Sequence, residues 1–101
     1  MCDLEQIKQK LARLKEKDLR FNEPYFTNQM ILREGCKGDV IENLLNPINL
    51  VYCYKQDHKV YCFYFKISNT RTMKLPVIFN KKGLYILTYI KRYRSWKGMI
   101  R

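Results

Sequence analysis

Residues 48–93 read INLVYCYKQDHKVYCFYFKISNTRTMKLPVIFNKKGLYILTYIKRY, and this stretch decides the fold. Apolar and polar side chains alternate along it with a period of two, the signature of strands that bury one face. Four strands are predicted, at about 49–55, 59–67, 72–79 and 84–93. The connections Gln56-Asp57-His58, Ser68-Asn69-Thr70-Arg71 and Asn80-Lys81-Lys82-Gly83 are too short for crossovers. Strands joined so closely form an antiparallel meander.

Upstream the period changes to that of helices. Asp3 is a candidate N-cap with Gln6 at N3, and Leu4, Ile7, Leu11 and Leu14 make one apolar stripe on a helix over 3–17. The stripe is expected to pack on the sheet or against another subunit. Leu19 to Tyr25 contains Pro24 and reads as a linker or a short edge strand. Thr27 is expected to cap a second helix that runs to Glu34 and ends at Gly35. A third helix covers about 38–45 and is stopped by Asn46-Pro47. Helices first and strands after define an α+β fold, with the helices on one face of a four-stranded antiparallel meander. The chain is expected to be one domain over 1–101, with a helical part (1–47), a sheet (48–95) and a basic tail (96–101).

Charge separates the two parts. Residues 1–54 hold eight Lys/Arg and eight Asp/Glu, whereas residues 55–101 hold twelve Lys/Arg against Asp57 alone. The net charge of +11 therefore lies wholly in the second part. Such an excess destabilises the isolated molecule by self-repulsion, and a polyanionic partner relieves it. The final stretch LYILTYIKRYRSWKGMIR (84–101) runs from a strand into cations and rings, which pair with phosphates and stack on bases. No apolar run approaches the roughly 20 residues of a membrane span, and MCDLEQIKQK has no apolar core of a signal peptide. A cytoplasmic location is expected. Cys2, Cys36, Cys53 and Cys62 show no C-x-x-C spacing and His58 is the one histidine, so neither a metal site nor another cofactor is expected.

Hydrophobicity assigns Leu50, Tyr52, Tyr54, Tyr61, Phe63, Phe65, Met73, Leu75, Val77, Leu84 and Ile86 to the helix-covered face. The other face then mixes Cys53, Lys55, Cys62, Tyr64, Lys66, Thr72, Lys74, Tyr85, Tyr89, Lys91 and Tyr93. A hairpin closed over Lys81-Lys82 sets Phe79 opposite Leu84, Lys74 opposite Tyr89 and Thr72 opposite Lys91. A three-residue loop at Asn69-Thr70-Arg71 sets Lys66 opposite Lys74. Opposed lysines are mutually destabilising, and a local rule broken inside a well-patterned sheet marks a candidate site. In the first hairpin, a two-residue loop at Asp57-His58 pairs Cys53 with Cys62, about 4.5 Å apart at Cα, so their thiols are expected to touch.

The motifs FTNQMILREG (Phe26 to Gly35), DVIENLLNP (Asp39 to Pro47) and LYILTYIKRYR (Leu84 to Arg94), in this order, resemble short RelE-superfamily proteins, the toxins of toxin–antitoxin pairs. The helix-first, BrnT-like branch is the nearest in pattern, and the resemblance covers about residues 20–95. It implies an α+β fold with a small antiparallel sheet, metal-independent cleavage of RNA, and an acidic antitoxin protein laid over the basic surface. On that reading Lys66 and Lys74 act as base or phosphate clamp, Arg71 and Arg92 stabilise the phosphorane, and Tyr89 orients or protonates. Where relatives often carry a histidine after the Phe-Thr position, this chain has Asn28, Gln29 and Met30, while Arg33 keeps the later basic position. Two other readings use the same surface. One is a non-catalytic nucleic-acid-binding protein with Tyr85, Tyr93 and Trp96 as stacking groups and Lys55, Lys91, Arg94 and Lys97 beside them. The other is a basic module that docks an acidic protein.

Overall fold

The computed structural model describes residues 3–57, 59–68, 71–81 and 83–92. Among the described residues three α-helices, α1 (Leu4–Ala12), α2 (Tyr25–Leu32) and α3 (Lys37–Leu45), accompany six strands. These are β1 (Leu19–Phe21), β2 (Leu50–Lys55), β3 (Val60–Ser68), β4 (Arg71–Asn80), β5 (Gly83–Ile86) and β6 (Ile90–Arg92). The fold is α+β with one mixed sheet of order β1-β5-β4-β3-β2, in which β6 pairs with β4. The four-stranded, wholly antiparallel sheet expected from the pattern is thus corrected in two ways. Leu19–Phe21 adds a parallel edge strand against β5, and the fourth expected strand is split into β5 and β6.

Local chemistry explains where the helices start and stop. Asp3 caps α1 by accepting from the backbone N–H groups of Glu5 (3.0 Å) and Gln6 (3.4 Å). Asp3→Ala is expected to cost about 1 kcal/mol in a urea melt; an unchanged midpoint would mean that packing alone holds this helix. The helix ends at Ala12 and not at 17, because Asp18 folds back to accept the Lys15 N–H (2.9 Å) and draws residues 16–18 into a separate 3-10 turn. Thr27 is not the N-cap of α2. It lies inside the first turn, where the Glu23 carboxylate accepts its N–H (2.8 Å) and its hydroxyl. That hydroxyl, more than the Lys37 ammonium nearby, holds the Glu23 carboxyl below the usual carboxylate range. Helix α2 gives way to Glu34 in the left-handed region (φ 55°), and the Gly35 N–H closes on Met30 O at 2.8 Å.

One core lies between the helices and one face of the sheet. Ile7 and Leu11 of α1, Phe26 and Met30 of α2, and Val40 and Leu44 of α3 meet Phe63, Phe65, Met73, Leu75, Val77, Leu84 and Ile86. The apolar stripe of α1 is thereby packed within the chain. Each fully buried large apolar side chain of this kind contributes on the order of 1.5–3 kcal/mol.

Candidate nucleic-acid interface

Two one-residue slips decide which side chains face away from the core. The first lies in β2. Leu50 pairs with Phe65 as expected, but the register shifts before Tyr52, after which Cys53 pairs with Phe63 and Tyr54 with Cys62. A bulge of one residue exchanges the faces of everything beyond it. Cys53 joins the core, while Tyr52 and Tyr54 turn to the other face beside Tyr64. Cys53 and Cys62 therefore lie on opposite faces, which corrects the expected contact between their thiols. The hairpin loop is longer than two residues: Gln56 N–H donates to Val60 O at 2.8 Å, and Asp57 Oδ1 accepts from Lys59 N–H at 3.0 Å.

The second slip separates β5 from β6. Pro76 O accepts the Leu87 N–H at 2.9 Å, but proline has no N–H to return, and the ladder breaks there. Phe79 is opposite Leu84 as expected, whereas Lys74 now pairs with Ile90, Met73 with Lys91 and Thr72 with Arg92. Tyr89 leaves the expected row and enters the core at 3 % exposure, its ring edge-on to Phe26 with centroids 6.3 Å apart.

The expected row of Lys66, Lys74 and Tyr89 is not formed. Lys66 pairs with Thr72 and Lys74 with Tyr64, so the lysines lie on a diagonal of one face and not in opposition. This register avoids the like-charge contact. What assembles instead is a lysine–tyrosine cluster. The rings of Tyr52, Tyr54 and Tyr64 have centroids 5.6 to 6.1 Å apart. Lys74 Nζ lies 5.8 Å from the Tyr54 ring centroid and 5.7 Å from that of Tyr64. Such ammonium–ring contacts are each worth about 0.5–1 kcal/mol at an exposed site. Beside the rings, the buried Cys62 thiol donates to Gln56 Oε1 at 3.0 Å. Burial, and then the neighbouring Cys62 and Tyr64 groups, push the Tyr54 hydroxyl well above its ordinary pKa. It stays neutral at working pH and is no base.

The remaining candidates are dispersed. Arg71 is exposed opposite Ser68 at the start of β4. Lys55 ends β2 with Nζ 5.6 Å from the Tyr61 ring. Tyr85 is tied down, its hydroxyl donating to Asn22 Oδ1 at 2.9 Å. Lys91 is half-buried opposite Met73, on the parity of the core. Arg92 has a described backbone opposite Thr72 but no described side chain, and Tyr93, Arg94, Trp96, Lys97 and His58 lie outside the described residues.

Lys66 and Tyr89 nevertheless meet at a second place. Both line a cavity of about 150 Å³ at the end of the sheet, together with Asp39, Asn43 and Asn49. Asn43 Nδ2 donates to Asp39 O at 2.8 Å, which fixes the amide at the rim. None of these three polar residues was read from the sequence as a site residue, because helix α3 and the strand ends meet only in space. Tyr52 and Tyr54 did carry a signal: a buried tyrosine needs a partner for its hydroxyl, whereas Val51 and Cys53 between them need none.

Among the described residues no group of three His, Cys, Asp or Glu is placed to hold a metal ion, and no helix is long and apolar enough to cross a membrane. No family model, curated protein or solved structure matches the chain.

Proposed function

We propose that this protein binds single-stranded RNA on the face formed by Tyr52, Tyr54, Tyr64 and Lys74. The observation that carries the reading is the Lys74 ammonium, from the part of the chain that holds the whole positive excess, poised over two of three clustered tyrosine rings. A ring at the edge of the cluster, Tyr52 at 36 % exposure, offers a base a stacking surface, and the cation answers the phosphate beside it. Fluorescence anisotropy on an RNA oligonucleotide across a salt series tests this. Lys74→Ala is expected to weaken binding and to reduce the log–log salt slope by about 0.7, the value for one single-strand phosphate contact. Tyr52→Ala is expected to lose about 1–3 kcal/mol with the slope unchanged, since stacking releases no counterion. Lys8→Ala, on the helix side, serves as the control. Equal losses at Lys8 and Lys74 would remove the platform.

A second reading is metal-independent cleavage of RNA by a RelE-like toxin, with an acidic antitoxin neutralising the basic surface. The convergence of Lys66 and Tyr89 at one cavity with Asp39 favours it, since 2′-hydroxyl attack needs a base, an acid and cations near each other. Products ending in a 2′,3′-cyclic phosphate, formed in EDTA and lost with Lys66→Ala, would establish it. RNA that is bound but left intact would leave the binding function alone.

A further inference from the structure

A groove of about 400 Å³ lies between the C-terminal end of α1 and the β4–β5 hairpin, on residues with no part in the tyrosine face. Its walls carry Lys10, Arg13 and Lys81, and its apolar side is Leu14 and Phe79. Three cations are thus gathered from two elements remote in sequence. The one acidic residue of the lining is Asp18, whose Oδ2 already accepts the Lys15 N–H at 2.9 Å. The local balance is three positive charges against one negative, or +2.

Among the described residues that charge is not offset by an ion pair. Arg13 and Lys81 make no ion pair among the described residues. Lys10 Nζ rests 5.3 Å from the Phe79 ring centroid, a contact that orients the ammonium without neutralising it. The negative end of α1 is also partly answered. Lys10 O takes the Arg13 N–H at 3.3 Å and Leu11 O takes the Leu14 N–H at 3.1 Å, which leaves fewer bare carbonyls to repel an anion. The approach of the hairpin to Asp18 is held by Gly83, so the spacing of the two cation-bearing walls is set by backbone contact.

We propose that this groove binds a phosphate monoester, carried by a nucleotide or by the end of an RNA chain. Three arguments select that ligand. A monoester carries about −1.5 to −2 at pH 7, which matches the local excess, whereas a carboxylate leaves it half answered. The guanidinium of Arg13 presents a planar fork suited to two phosphate oxygens, with the lysines as point charges on the third. The groove volume lies in the range of about 300–1,000 Å³ typical of small-molecule sites, and the apolar side at Leu14 and Phe79 can cover the nucleoside.

The test is a titration of the whole chain with adenosine 5′-monophosphate and with adenosine, followed by amide NMR. The monophosphate is expected to shift the amides of Arg13, Asn80 and Lys81, and adenosine is not. Arg13→Ala and Lys81→Ala replace exposed side chains and should leave the fold intact, yet each should weaken monophosphate binding about tenfold, as loss of a hydrogen bond to a charged group does. A pair of RNA oligonucleotides differing by a 5′-phosphate distinguishes the sources. Preference for the phosphorylated member assigns the groove to RNA ends, and equal affinity beside intact monophosphate binding assigns it to free nucleotides. Equal responses to adenosine and its monophosphate, shifts confined to the amides around Tyr54 and Lys74, or no loss in both variants would overturn the proposal.

Discussion

Tyr89→Ala is expected to lower the stability of the fold by about 3 kcal/mol or more. The residue was a candidate for catalysis in the sequence, but the slip between β5 and β6 carries it into the core at 3 % exposure. Its ring meets Phe26 edge-on, at an interplanar angle of 90°, so it joins α2 to the sheet. It also fills the space left by Gly35, where a Cβ would stand 2.7 Å from Tyr89 Cζ and 2.9 Å from Met30 Cγ. Truncation opens a cavity under α2 that the surrounding backbone cannot close. Tyr89→Phe keeps the ring and is expected to retain most of the stability. Urea denaturation of the three proteins measures this directly. An alanine variant of native stability that had lost RNA cleavage would return Tyr89 to the catalytic group.

Gly83→Ala should be nearly as damaging, at about 3 kcal/mol, combining backbone strain with overpacking. Gly83 has φ 142°, a conformation that side chains rarely adopt, and its Cβ would lie 2.1 Å from Asp18 O. The obstacle is backbone and cannot rotate aside. Asp18 directly precedes β1, whose Leu19 pairs with Leu84, so relief of the clash must pull the parallel edge strand from the sheet. Hydrogen exchange at the amides of β1 should rise together with the fall in urea midpoint. Gly38→Ala supplies the contrast: the nearest atom to its Cβ is Cys36 Sγ at 3.7 Å, and the site lies in α3, where alanine is favoured by about 1 kcal/mol. If both variants were equally stable, close approach would not be the reason for glycine at 83.

Much of this architecture was legible because it is written locally. The period of two from Leu50 onward gave the strands, Asp3 marked the first helix start, and Asn46-Pro47 marked the end of α3. The Lys81-Lys82 hairpin was legible too: closed over those two residues it sets Phe79 opposite Leu84, the register observed. The charge asymmetry is a property of composition and needs no fold. The partners of each face were not legible, because a bulge changes neither composition nor local propensity yet inverts every side chain beyond it. VYCY reads equally well with Tyr52 and Tyr54 inward or outward, and only packing of Cys53 beside Phe63 resolves it. At the second slip one clue was present: Pro76 lacks the N–H that a continuous fourth strand would have needed. Its effect fell on Tyr89, in the connection between β5 and β6, where no local rule could show it. The sequence by itself thus determined the α+β class, the order of helices before the main strands and the sign of the net charge. Tertiary contact decided which lysines and rings meet, because side-chain encounters between strands depend on register, and register is settled by the fit of the whole core.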